Sequence, residues 1–169
     1  MTQPRRGATL MVATALAGIL LSFSATAEDA DPISRARNAI TAGDELFSDG
    51  KILLACRQYE VALGVAPQWW YSAYKRALCA ALAGDSPDAL YLLRMASTAR
   101  GELYILHLAL AREYRKHGNL EQAAAEYKKA IALTKGAVEP MLELALVLLD
   151  LERAAEAELV LKKAAYFGS

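Results

Sequence analysis

The chain has 169 residues, 55% hydrophobic and 8% aromatic, with 19 basic and 19 acidic side chains and no formal net charge. That length suits one domain with a sizeable core and is short for two. The balanced charge gives no electrostatic case for binding nucleic acid or anionic lipid. The hydrophobic share is carried by alanine, leucine and the first 27 residues, so a multi-span membrane protein is not implied.

The first segment is read as an export leader. Arg5 and Arg6 precede an uncharged run from Ala8 to Phe23, and Ser24-Ala25-Thr26-Ala27 follows before Glu28 and Asp29. A basic start, a short apolar run and small residues at Ala25 and Ala27 predict cleavage after Ala27. A run of about 16 residues is short against the roughly 20 that a span needs. Membrane attachment is therefore expected only if the leader (1–27) stays uncleaved. No cysteine follows the site, so a lipid anchor is not indicated. Cleavage removes two arginines and no acid, leaving a slightly acidic chain bound for the periplasm or the outside.

Residues 28–35 read as a linker. From Ile33 onward, runs of Ala, Leu and Tyr recur at three- and four-residue spacings between short Gly, Asp or Asn punctuation. This is the signature of amphipathic helices with tight turns, and no segment alternates as a strand requires. Sliding the chain on itself by 34 residues aligns Ala55, Ala89, Ala123 and Ala157, then Ala62, Ala96, Ala130 and Ala164. Further columns hold Gly43, Ala77, Ala111 and Ala145, and Tyr59, Leu93, Tyr127 and Leu161. Another holds Gly50, Gly84 and Gly118 and ends at Glu152. Small residues let helices cross closely, bulky ones fill the gap beside them, and glycine tolerates the left-handed turn that ends a helix. The spacing describes four helix–turn–helix units, 36–69, 70–103, 104–137 and 138–169, in an all-α domain over 36–169.

These columns resemble the tetratricopeptide repeat (TPR) family over essentially the whole chain after the leader. The third unit carries Leu110, Ala111, Tyr114, Gly118, Ala123, Tyr127 and Ala130 in the family's pattern. The first carries Gly43, Leu46, Gly50, Ala55, Tyr59, Ala62 and Pro67. Departures are Arg76 in place of a leucine and Lys135 in place of the terminal proline. The resemblance implies a right-handed α-solenoid with a concave face lined by the first helix of each unit. It also implies a non-enzymatic scaffold or adaptor that binds a segment of another protein, in the assembly of an envelope complex or the maturation of an exported enzyme.

Carried onto this sequence, the inner stripe is Arg37, Ile40, Asp44 and Phe47 in unit one, then Tyr71, Tyr74, Lys75 and Leu78. Unit three contributes Ile105, Leu108, Arg112 and Arg115, and unit four Glu139, Leu142, Leu146 and Leu149. This is an apolar groove with tyrosines and a basic spot, suited to a partner peptide. The lysine and asparagine pattern by which some relatives clamp a terminal carboxylate is absent.

Nothing points to catalysis, a cofactor or a metal. His107 and His117 lack a Cys or carboxylate at metal-ligand spacing, so each reads as packed or surface histidine. Asp44 and Glu45 read as a solvated face. Cys56 at the opening of one helix and Cys79 midway along the next are either a disulfide or two buried thiols. Pro67, Trp69 and Trp70 fall between units one and two, where Trp70 is expected to wedge and Trp69 to be the more exposed. At the far end, Leu159, Val160, Leu161, Ala165 and Phe167 are left without a covering helix. Self-association through 154–169 or a docked partner is the expectation.

Overall fold

The computed structural model describes residues 31–134 and 136–168. The leader, its cleavage site and Lys135 lie outside them. The described residues form eight helices and no strand: α1 Pro32–Ser48, α2 Ile52–Val65, α3 Trp70–Ala83, α4 Ser86–Ala99, α5 Tyr104–Lys116, α6 Leu120–Leu133, α7 Val138–Asp150 and α8 Ala154–Phe167. None is long and apolar enough to cross a membrane. Helix α1 starts at Pro32, inside the segment read as linker. Asp31 accepts from the amides of Ile33 and Ser34 at 2.9 and 3.1 Å, and proline is pre-set for the first helical position.

Each helix packs on its neighbours in the chain, so α1/α2, α3/α4, α5/α6 and α7/α8 make four hairpins stacked in a row. The alanine columns lie in the seams: Ala55, Ala62, Ala89, Ala96, Ala123 and Ala130 are fully buried. Gly43 serves one step further, since a Cβ there would stand 2.5 Å from the Tyr59 ring. Within the hairpins the chain turns through positive φ at Gly50, Gly84 and Gly118, and Glu152 takes the same left-handed conformation at φ 60°.

The core has two parts. A large cluster runs from α3 to α8, centred on Leu93, Leu106, Leu108, Tyr127 and Leu148. A smaller one joins α1 and α2 around Ile40, Ala55, Tyr59 and Ala62, with Cys79 of α3 reaching into it. Cys56, a turn into α2, and Cys79 are joined by a disulfide across 5.6 Å between Cα atoms. A covalent link thus spans the seam between α2 and α3, inside the smaller cluster.

Candidate interaction groove

The first helices of the hairpins, α1, α3, α5 and α7, make one continuous face, and its chemistry alternates from step to step. At the first step Asp44 is the centre. Its Oδ1 accepts from the Tyr59 hydroxyl at 2.6 Å and from Lys75 Nζ at 2.7 Å. The Lys75 ammonium lies 5.4 Å from the Tyr59 ring centroid and 5.5 Å from that of Tyr71. Burial and the bond to Asp44 push the Tyr59 phenol well above its ordinary value. Burial opposes the Lys75 charge, but Asp44 and Tyr71 outweigh it and raise the ammonium. Asp44 is therefore part of a half-buried clamp, a correction to its reading as a solvated face.

The clamp recurs 68 residues on with its charges exchanged. Arg112 takes the place of Asp44, Tyr127 that of Tyr59 and Glu143 that of Lys75. Tyr127 donates to Glu143 Oε2 at 2.5 Å, and Arg112 donates to Glu143 Oε1 at 3.0 Å and to Glu139 at 2.6 Å. The bonds to Glu143 hold the Arg112 guanidinium above its ordinary value. A planar fork between two carboxylates suits arginine better than lysine.

Between the clamps the same three columns hold Leu78, Leu93 and Ala109, which have no charge to pair. Here the face opens into a cleft of about 400 Å³ walled by Phe47, Tyr74, Leu78, Leu82, Ile105 and Ala109, with Arg112 and Lys116 among its lining. A second recess of about 300 Å³ adjoins it, lined by Arg112, Arg115, Lys116, Tyr127 and Glu143. Leu82 is 62% exposed and Phe47 42%, so the apolar wall meets solvent.

The structure brings Phe47, Tyr74, Leu78, Ile105 and Arg112 of the sequence-derived groove into this cleft, and Arg115 into the recess. Leu108 does not face it. It is 2% exposed in the main core, one residue round the helix from Ala109, which is the residue that lines the cleft. Ile40 is likewise core, at 3%. Tyr71 stacks on Tyr74 at 6.2 Å between centroids but packs against the α1/α2 cluster, and Lys75 belongs to the clamp. Leu142 lies on α7, outside the cleft. Leu82, Ala109 and Lys116 were missed. The signal for Ala109 was in the sequence, because it shares a column with Lys75 and Glu143.

The aromatic stretch at the joint divides as its register demands. Trp70 packs against the main core, with the Arg100 guanidinium 5.7 Å from its ring centroid. Trp69 packs against the smaller cluster. Both are half-buried.

Both histidines have carboxylate partners: Glu126 for His107, from another helix, and Glu113 for His117, four residues back on α5, which corrects the reading that no carboxylate stands at a suitable spacing. His107 is buried, with Nδ1 2.6 Å from Glu126 and Nε2 2.9 Å from the Gly101 carbonyl. His117 Nε2 meets both the Ser86 hydroxyl and, at 3.1 Å, Glu113 Oε1, while Ser86 donates to the same Glu113 oxygen at 2.6 Å. A serine, a histidine and an acid thus converge, yet hydroxyl and carboxylate share one ring nitrogen. A nucleophile relay needs them on opposite nitrogens, and Ser86 is 5% exposed. The cluster ties α4 to α5. No grouping of three metal-binding side chains occurs among the described residues.

No family model and no curated protein matches the chain, but solved structures do. MamA 41-end from Desulfovibrio magneticus RS-1 superposes with a TM-score of 0.73 at 16% identity, covering 79% of this chain and 75% of that one. TTC0263, a thermophilic TPR protein in Thermus thermophilus, gives 0.65 at 24% identity over 78% and 74%. The first TPR of Spaghetti (RPAP3), bound to the HSP90 peptide SRMEEVD, gives 0.67 at 18% over 71% of this chain and 95% of that one. The fold is the tetratricopeptide-repeat solenoid.

Proposed function

We propose that this tetratricopeptide-repeat array is an exported adaptor that holds a segment of a partner protein in the cleft between its two clamps. The cleft itself carries the reading. It is the one step of the inner face, among the described residues, where apolar walls replace an ion pair between clamps, and it is flanked by fixed polar groups that give a peptide its direction. A bulky apolar side chain fills it, and an acidic residue beside that anchor meets Arg115 and Lys116. The peptide-bound state of one structural neighbour supports the mode of binding in general. Binding of this kind needs no chemistry.

Export and a role in assembling an envelope complex are part of the proposal. The leader pattern supports the first, and so does the disulfide, a linkage that persists in oxidising compartments. A photo-crosslinking residue at Leu82, in cells of the native host, is expected to trap a partner polypeptide. The same residue at Leu53, 82% exposed on α2, should not. Adding Phe47→Asp, which places a charge on the exposed wall of the cleft, should abolish the Leu82 adduct while helicity is retained. Equal trapping at Leu53, or an adduct indifferent to Phe47→Asp, overturns the reading.

A further inference from the structure

The seams between hairpins form a series. Each hairpin offers a surface, here called a seat, on which the first helix of the next one lies. Its centre is a pair of residues in two fixed columns: Asp44 and Tyr59, Leu78 and Leu93, Arg112 and Tyr127, and last Leu146 and Leu161. The arriving helix answers with Lys75, Ala109 and Glu143 in turn. Charged seats receive an opposite charge, and the leucine seat receives an alanine.

The fourth seat is uncovered in the structure. Leu161 is 41% exposed, whereas Leu93 and Tyr127 in its column are 2% and 0%. On α7, Leu142 and Leu146 are 45% and 48% exposed. Glu158 borders this seat in the place of Leu90 and Ala124 and is paired with Lys162 at 2.7 Å, and Asp150 stands at its edge in the place of Leu82. Contiguous exposed apolar faces commonly mark interaction sites.

We infer that the α7/α8 face takes an amphipathic helix of a partner protein, with an apolar contact stripe and a small residue at its centre. The internal precedent is α5, which sits on the matching leucine seat of α3/α4 with Ala109 at the centre. A lysine or glutamate there would be buried against Leu146 and Leu161 without a counter-charge, at a cost no leucine repays. A second copy arriving head to tail is a poor fit. Its α1 offers Asn38 and Thr41 where α5 offers Leu106 and Ala109. The site is distinct from the cleft, so the array would hold two ligands at once and bridge them.

The test uses the full chain and a labelled peptide of its own residues 103–117, the sequence that already fits a leucine seat. Fluorescence anisotropy is expected to show saturable binding, weakened about tenfold or more by Leu161→Glu in the protein or by Ala109→Glu in the peptide. Phe47→Asp in the protein, on the exposed wall of the cleft and away from α7/α8, should leave peptide affinity unchanged. A short free helix is marginal in water, so the same segment is also joined after Ser169 by a Gly/Ser linker, which raises its effective concentration. That fusion should raise the thermal midpoint, and Leu161→Glu should cancel the gain. Absence of both binding and a raised midpoint overturns the inference, and so does binding indifferent to Leu161→Glu. A tail-to-tail dimer in light scattering that Leu161→Glu dissolves would also overturn it, assigning the face to a second copy.

Discussion

At Glu152 an L-residue occupies a conformation that the three preceding turns give to glycine. Left-handed backbone costs an ordinary side chain about 1–2 kcal/mol, partly offset by the greater freedom glycine loses on folding. Glu152→Gly is therefore expected to stabilise the chain by about 0.5–1 kcal/mol in urea titration; a loss of stability would show that the Glu152 side chain contributes more than its backbone costs. This residue was legible beforehand, because the glycine column points at it by position alone. Leu108 was not legible in the same way. Periodicity locates a helix face to within about a residue, and neighbouring positions on α5 divide between core and cleft. Glu113 stands four residues before His117, a spacing the sequence shows, but the other partners of the two histidines were beyond it. Glu126 reaches His107 across the α5/α6 hairpin and Ser86 reaches His117 across the seam between hairpins, so both approaches depend on how the helices pack.

Among elements, the inner face depends on paired charges between successive first helices. Burial works against the Glu143 carboxylate, but the bonds from Arg112 and Tyr127 prevail and hold it below its ordinary value of 4.5. A carboxyl whose proton is bound less tightly in the folded chain adds stability above 4.5, and that share is lost as pH falls through the lower folded value. Melts followed by circular dichroism from neutrality to about pH 3 should therefore show a shallower acid loss for Glu143→Gln than for the unmodified chain, with a lower midpoint at neutral pH. Parallel curves would show that Glu143 carries none of the acid sensitivity. The helices themselves and their pairing were plain in the sequence. The clamps were hidden by reading each unit against a shared pattern, which directs attention to what the units have in common. Here the charge-bearing positions are those where the units differ.

For the molecule as a whole, the two-part core makes the first hairpin a separable body fastened by the Cys56–Cys79 link. Its loop of 23 residues is worth about 3 kcal/mol in the chain-entropy account. Reduction is expected to speed amide hydrogen exchange in α1 and α2 far more than in α5 to α7. Uniform acceleration along the chain would mean that the array unfolds as one unit. The sequence left the state of the two cysteines open, since it placed them on their helices without the direction of each side chain across the seam. The series of seams also bears on how the chain avoids assembling wrongly. Tandem repeats share one shape, so a hairpin can dock out of order or on a neighbouring molecule during synthesis. In this chain such an error is penalised at the centre of the seam. Asp44 would meet Glu143, Arg112 would meet Lys75, and either charge laid on Leu78 and Leu93 would be buried unpaired. The charges on the inner face thus specify the order of the hairpins as well as holding adjacent ones together.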